Sequence, residues 1–90
     1  MKKYIIERNI SSIGTFDAET LAGASSKSCD ALQKIGPQIQ WIESYVTDNK
    51  TFCVYLAEDE SYIKQHAEIS GFPANKITEV VNMISPETAG

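Results

Sequence analysis

Two β-rich runs joined by a polar turn occupy residues 39–57, IQWIESYVTDNKTFCVYLA. The runs are Ile39 to Thr47 and Thr51 to Ala57, and the turn is Asp48-Asn49-Lys50, because Asp and Asn tolerate turn conformations. We expect a three-residue loop, since its register collects the aliphatic side chains on one face, whereas a one-residue slip would mix the faces. The pairs expected on that face are Val46 with Phe52, Ser44 with Val54 and Ile42 with Leu56. Those expected on the other face are Tyr45 with Cys53 and Glu43 with Tyr55.

A strand and a helix are predicted before this hairpin. Lys3 to Ile10 is rich in β-forming residues and alternates in part, which is typical of a strand. Asp17 can cap a helix, because its carboxylate accepts from the free amides of the first turn. Small and apolar residues then recur at three- and four-residue steps up to Ile35. Gly36-Pro37 ends this helix, since proline cannot continue the turn.

A second helix and a last strand are predicted after the hairpin. The helix begins near Asp59, with Glu60 favoured by the helix dipole, and stops at Gly71. The strand is Lys76 to Ile84, and residues 85–90 form a loose tail. The order β-α-β-β-α-β predicts one α+β domain of ferredoxin-like type over residues 1–84, in which a four-stranded antiparallel sheet carries both helices on one face.

The uncovered face of the sheet is expected to combine large aromatic side chains with carboxylates. A face so apolar rarely stays exposed, so we expect a twofold homodimer of the dimeric α/β-barrel type, which encloses a cavity between two sheets. The expected members of this face are Ile5, Glu7, Trp41, Glu43, Tyr45, Cys53, Tyr55, Ile77, Glu79, Val81 and Met83. Those expected to face the helices are Tyr4, Ile6, Ile42, Val46, Phe52, Val54, Leu56, Val80 and Ile84.

Three groups of side chains are candidates for function, and each has a structural alternative. Glu7 and Glu79, on neighbouring strands, form either a proton-transfer or cation site or a pair of hydrogen-bonded rim glutamates. His66 is either a packed residue with both nitrogens satisfied or a metal ligand with carboxylate or water partners. The aromatic group either stacks on a ligand or anchors a dimer interface. Its members are Trp41, Tyr45 and Tyr55.

Composition excludes several classes of function. The 90-residue chain has a net charge of −4, so it lacks the basic surface of a nucleic-acid or membrane-surface binder, and a cation or neutral molecule suits this sign better. No apolar run is long enough for a membrane span, and the apolar start ends at Glu7, too early for a signal peptide. Cys29 and Cys53 fit no zinc spacing, and we expect a reduced, cytoplasmic setting.

Two long motifs resemble those of the small proteins catalogued as domain of unknown function 4242. They are Gly36 to Tyr55 and His66 to Val80, and the shorter segments Tyr4 to Arg8 and Lys27 to Cys29 also match, so the resemblance covers nearly the whole chain. The resemblance implies a ferredoxin-like subunit that dimerises through its sheet, and the label "nickel-binding protein", which some members carry. The positions that it marks as functional are Glu7, Trp41, Tyr45, Cys53, Tyr55, His66 and Glu79.

Our leading hypothesis is a cytoplasmic homodimer that binds nickel or another divalent transition metal without catalysis. Its metal ligands would be His66, Glu7 and Glu79, and no organic cofactor is indicated. The second hypothesis is an enzyme, of monooxygenase or isomerase type, that acts on a small molecule in the dimer cavity. Its ligand-binding set would be Glu7, Trp41, Tyr45, Cys53, Tyr55 and Glu79. A third is a protein interaction module, for which no residue singles out a partner.

Overall fold

The strands and helices of the computed structural model, which describes residues 1–90, follow the predicted β-α-β-β-α-β order. The four strands form one open antiparallel sheet in the order β2-β3-β1-β4. The ferredoxin-like α+β fold is therefore confirmed. The elements are β1 (Lys2–Asn9), α1 (Ala18–Ile35), β2 (Ile39–Val46), β3 (Lys50–Ala57), α2 (Glu60–Ser70) and β4 (Lys76–Val80), with short 3-10 helices at Ile13–Thr15 and Pro86–Ala89.

Both helices begin and end at the residues that the sequence indicates. The Asp17 carboxylate accepts from the Thr20 amide at 2.8 Å, and the Asp59 carboxylate accepts from the Ser61 amide at 2.8 Å. Gly36 and Gly71 end the two helices with positive φ angles of 107° and 79°, a conformation that disfavours other residues. These signals are local, since each cap acts within a few residues.

The core lies between the sheet and the two helices. Ile63 of α2 packs there against Tyr4 and Ile6 of β1, and Leu32 and Ile35 of α1 close it from the side. The β1 residues that face the helices are therefore the alternating set that starts at Tyr4, as expected. Arg8 continues this alternation, and its side chain is buried on the same side.

The register predicted for the β2–β3 hairpin is wrong by one residue. The structure pairs Val46 with Thr51 and Tyr45 with Phe52, and Thr47 closes a turn one residue tighter than expected by donating from its amide and its hydroxyl to the Lys50 carbonyl, both at 2.9 Å. Because one step of register turns every side chain over, β3 presents its other face to the helices. The side chains that face the helices are thus Thr51, Cys53, Tyr55 and Ala57, and those on the open face are Phe52, Val54 and Leu56.

A β-bulge in β2 follows from this register. Trp41 pairs with Tyr55 and Ser44 pairs with Cys53, with the irregularity between Trp41 and Glu43. Residues three apart in a regular strand face opposite sides, so the bulge is what brings both Trp41 and Ser44 to the helix side. The Trp41 indole Nε1 then donates to Ser44 Oγ at 2.9 Å.

The last strand is shorter than expected and ends at Val80 instead of Ile84. Val80 pairs with Lys3, which is one residue from the start of β1, so β1 offers almost no further residues with which β4 could pair. Val81, Met83 and Ile84 are exposed as a result.

Gly14 and Gly23 provide a matched pair of substitutions that tests how the 3-10 helix packs on the hairpin turn. A Cβ on Gly14 would lie 2.8 Å from Asp48 Cα and 2.9 Å from the Thr47 carbonyl oxygen, whereas a Cβ on Gly23 would meet nothing within 4 Å. We expect Gly14→Ala to lower the free energy of unfolding by about 1–3 kcal/mol, because backbone must move. Gly23→Ala should raise it by roughly 0.5–1 kcal/mol through helix propensity. Urea unfolding measures both, and equal effects would contradict the close approach.

Candidate functional site

A pocket of about 300 Å³ lies between α1 and the sheet, on the helix side of the molecule. Its walls are mostly apolar and come from three places: the 3-10 helix with the segment after it, the first turns of α1, and β2. The apolar wall residues include Ile13, Phe16, Leu21, Ala24, Trp41 and Val46. Its floor carries polar groups of Arg8, Ser28 and Tyr55, which we call the polar floor. We refer to the whole as the helix-side pocket.

The polar floor is held from behind by His66 of α2. His66 Nε2 lies 3.0 Å from Ser28 Oγ, and His66 Nδ1 lies 3.5 Å from Arg8 Nη2. Because a guanidinium only donates, Nδ1 accepts, and the ring proton therefore sits on Nε2 and is donated to Ser28. Ser28 Oγ is also 3.4 Å from the Tyr55 hydroxyl, so one chain of hydrogen bonds joins both helices and two strands.

The charge in this network is carried by Arg8 alone at neutral pH. Burial, helped by the adjacent Arg8 cation, lowers the pKa of His66 from 6.5 to about 4. Burial also raises the pKa of Tyr55 above its usual value of 10. Both rings are thus neutral, and they pack against each other with centroids 5.3 Å apart.

Arg8 is a buried cation, only 3% exposed, and it has no carboxylate partner. Its Nη1 donates to the Pro73 carbonyl at 3.0 Å and lies 3.5 Å from the Phe72 carbonyl, and its Cζ lies 5.9 Å from the centre of the Tyr55 ring. The ion pairs of the protein all lie elsewhere. They are Lys50–Glu7, Lys76–Glu7 and Lys64–Glu60.

The structure divides the sequence-predicted ligand residues between the two faces of the sheet. Trp41, Cys53 and Tyr55 come together in the helix-side pocket instead of on the open face. Tyr45 lies exposed on the open face, where its hydroxyl donates to Glu43. The three that come together do so because of the register and bulge described above.

The predicted metal ligands are not brought together. Glu7 lies on the open face between Lys50 at 3.5 Å and Lys76 at 3.9 Å, whereas Glu79 pairs with Tyr4 and so belongs to the helix side. Both nitrogens of His66 already have hydrogen-bond partners, one of them a cation. No three His, Cys, Asp or Glu residues cluster in a metal-binding arrangement. Within one chain, His66, Glu7 and Glu79 therefore do not form a common set of metal donors.

Arg8 and Ser28 were missed as site residues by the sequence analysis. The signal for Arg8 was present, since it continues the alternation of Tyr4 and Ile6 toward the helices, and an arginine at such a position needs a buried partner. Ser28 lies on the stripe of small residues in α1 that faces the sheet, where only contacts with other elements show that its hydroxyl is used.

Comparison with known proteins supports the fold and identifies the family. The crystal structure of SCO4226 from Streptomyces coelicolor A3(2) matches with a TM-score of 0.76 over 91% of this chain and 99% of that chain, at 10% sequence identity. No curated protein matches the sequence. Neither helix has the length and apolar character needed to cross a membrane. The name expected from the resemblance, domain of unknown function 4242, is not the one found: a family model described as "Nickel responsive protein SCO4226-like" matches residues 4–80, and the chain belongs to that family.

Proposed function

We propose that this protein binds a small, largely apolar molecule in the helix-side pocket, without altering it chemically. The observation that carries the proposal is a pocket of about 300 Å³ with apolar walls and the few polar groups of its floor converging at one end. Ligand sites commonly combine these features, and volumes near 300 Å³ lie at the small end of their range. The ligand is therefore a small molecule rather than a peptide or a dinucleotide.

Binding without catalysis is favoured by the way His66 is used. A general base needs a free nitrogen within reach of the substrate, but both ring nitrogens of His66 are engaged by Arg8 and Ser28. The ring is 1% exposed and stands behind the polar floor. His66 thus orients Arg8 and Ser28, and those residues meet the ligand.

A pair of α1 substitutions tests the proposal. Ala24 lines the pocket and Ala22, two residues earlier on the same helix, is exposed. We expect Ala24→Leu to fill the pocket and abolish binding of aromatic fragments of about 8–15 non-hydrogen atoms, while Ala22→Leu leaves binding unchanged. Ligand-observed NMR with such fragments is the assay, and quenching of the single tryptophan, Trp41, locates the bound fragment. Failure of every fragment to bind, or equal binding by both variants, would overturn the proposal.

The family description makes nickel the competing candidate. The geometry of His66 leads to a specific expectation: calorimetric titration of tag-free protein with nickel gives the same heat for His66→Gln as for the original chain. The reason is that both ring nitrogens are already bonded and a cation stands beside one of them. Loss of the heat in His66→Gln, with an unchanged circular dichroism spectrum, would restore the metal hypothesis.

We further propose that the open face of the sheet pairs with a second copy of the chain. Ile5 and Tyr45 are 37% and 56% exposed there, beside the half-buried row of Phe52, Val54 and Leu56, and a contiguous apolar surface of this kind favours association. The helix-side pocket lies on the other side of the sheet, so each subunit keeps its own ligand site.

Val54→Lys tests the dimer, because it places a charge in the middle of the open face. We expect this variant to sediment as a monomer, while Gln33→Lys, the same kind of charge change on the exposed side of α1, sediments as a dimer. Fragment binding should survive in Val54→Lys. A monomeric original chain would refute the dimer proposal, and loss of fragment binding in the monomer would move the ligand site to the dimer cavity.

A further inference from the structure

We propose that the ligand of the helix-side pocket is a small organic anion: an apolar body of about one aromatic ring that carries a single carboxylate, with Arg8 binding the carboxylate. This inference rests on the proposed function and adds the chemical class of the ligand. The net charge of −4 led us to expect a cation or a neutral molecule as the ligand. Inside the pocket, however, the nearby buried Arg8 cation acts on a ligand more strongly than the distant surface carboxylates, whose charges are screened.

The first argument is the unused hydrogen-bonding capacity of Arg8. A guanidinium has five N–H groups, and the contacts to Pro73, Phe72 and His66 use at most three of them. The protein supplies neutral acceptors only, so the positive charge is not neutralised where it is buried. A carboxylate fits what remains, because it accepts two parallel N–H bonds from one guanidinium.

The second argument is a hydroxyl proton that has no acceptor in the protein. Ser28 and Tyr55 share one hydrogen bond, which uses one of their two hydroxyl protons. His66 donates to Ser28 and so uses none. The remaining proton is available on the polar floor, close to Arg8, for a second oxygen of the ligand. Burial raises the pKa of Tyr55, so its hydroxyl stays protonated at neutral pH and one of the two hydroxyl protons remains free whichever residue donates.

The third argument is the contrast between floor and walls. Phe16, Leu21 and Trp41 offer apolar contact and no charge, and no acidic residue lines the pocket. An amine ligand would meet Arg8 with no counter-charge, and a neutral ligand would leave the guanidinium uncompensated. An aromatic ring that carries one carboxylate would place its ring against the apolar walls and its carboxylate against Arg8.

A pair of isosteric probes tests this assignment: 3-phenylpropanoate, which is anionic, and 3-phenylpropanamide, which has the same shape without charge. We expect the original chain to bind the anion at least about tenfold more tightly than the amide, because charge-assisted hydrogen bonds are the stronger ones. In Arg8→Met, which keeps the length of the side chain, the two affinities should become equal. Calorimetry at pH 7 measures both, and Ala24→Leu serves as the blocked pocket.

The outcomes separate this inference from the proposed function. If the original chain binds amide and anion equally, and Ala24→Leu abolishes both, the pocket is a ligand site and the inference about the anion is wrong. If neither probe nor any aromatic fragment binds, the proposed function itself fails. The comparison of probes on the original chain stands even where Arg8→Met does not fold.

Discussion

Lowering the pH from 7 to 4 is expected to reduce the free energy of unfolding by about 2–3 kcal/mol through His66 alone. The unfolded histidine binds a proton below its ordinary pKa of 6.5, whereas the native ring does so only near its lowered pKa of about 4. Between these values the unfolded state holds more protons, so acid favours unfolding. The stability contributed by the neutral ring is complete above about pH 6.5 and is lost progressively toward pH 4.

The physical origin of this effect is the set of groups that face His66 from each neighbouring element. Arg8 faces it from β1, Ser28 from α1 and Tyr55 from β3, and the ring is 1% exposed. Protonation would place a second charge beside the Arg8 guanidinium and would remove the acceptor at Nδ1. Burial raises the pKa of Tyr55 above its usual value of 10, so among the two aromatic rings of this network the change between pH 4 and 7 belongs to His66.

His66→Gln isolates the effect, because a glutamine amide can accept from Arg8 and donate to Ser28 but does not titrate in this range. Urea unfolding of both proteins between pH 7 and 4 gives the measurement. We expect the original chain to lose stability more steeply than His66→Gln over this interval. Parallel pH profiles would mean that the native ring is already protonated or exposed, which is incompatible with the hydrogen bonds of the polar floor.

Ile63→Ala is expected to lower the free energy of unfolding by about 2–5 kcal/mol. Ile63 is 1% exposed and is the residue through which α2 enters the core, against β1 and β3. Its truncation removes apolar contact and leaves a cavity that neighbouring strands fill only in part. A domain of this size has a total stability of about 5–10 kcal/mol, so this one change removes a large share of it.

Ile69→Ala on the same helix is the matched control, because Ile69 is 41% exposed. We expect it to cost less than about 1 kcal/mol, since little of its surface is buried. Urea unfolding with equal m-values for the two variants makes the comparison direct. Similar losses in both variants would show that α2 is anchored differently from the arrangement described above.

The candidate site shows how far sequence patterns reach. Tyr4 and Ile6 were assigned correctly to the helix side, because β1 alternates between apolar and polar residues there. On β3 both alternating sets are apolar or aromatic, so a period of two residues did not identify the buried one. We expected the aliphatic set of β3 to face the helices, and this was wrong. The same error assigned Trp41, Cys53 and Tyr55 to the open face.

The order of the elements, the helix ends and the ferredoxin-like topology follow from signals that act over a few residues, such as Asp17, Asp59, Gly36 and Gly71. The helix-side pocket does not follow from such local signals. It depends on a turn geometry, on a bulge and on hydrogen bonds that join residues 27 to 65 positions apart, such as Ser28 with Tyr55 and Arg8 with Pro73. Such contacts exist only after the sheet and helices have packed, so a linear pattern of hydrophobicity carries no record of them.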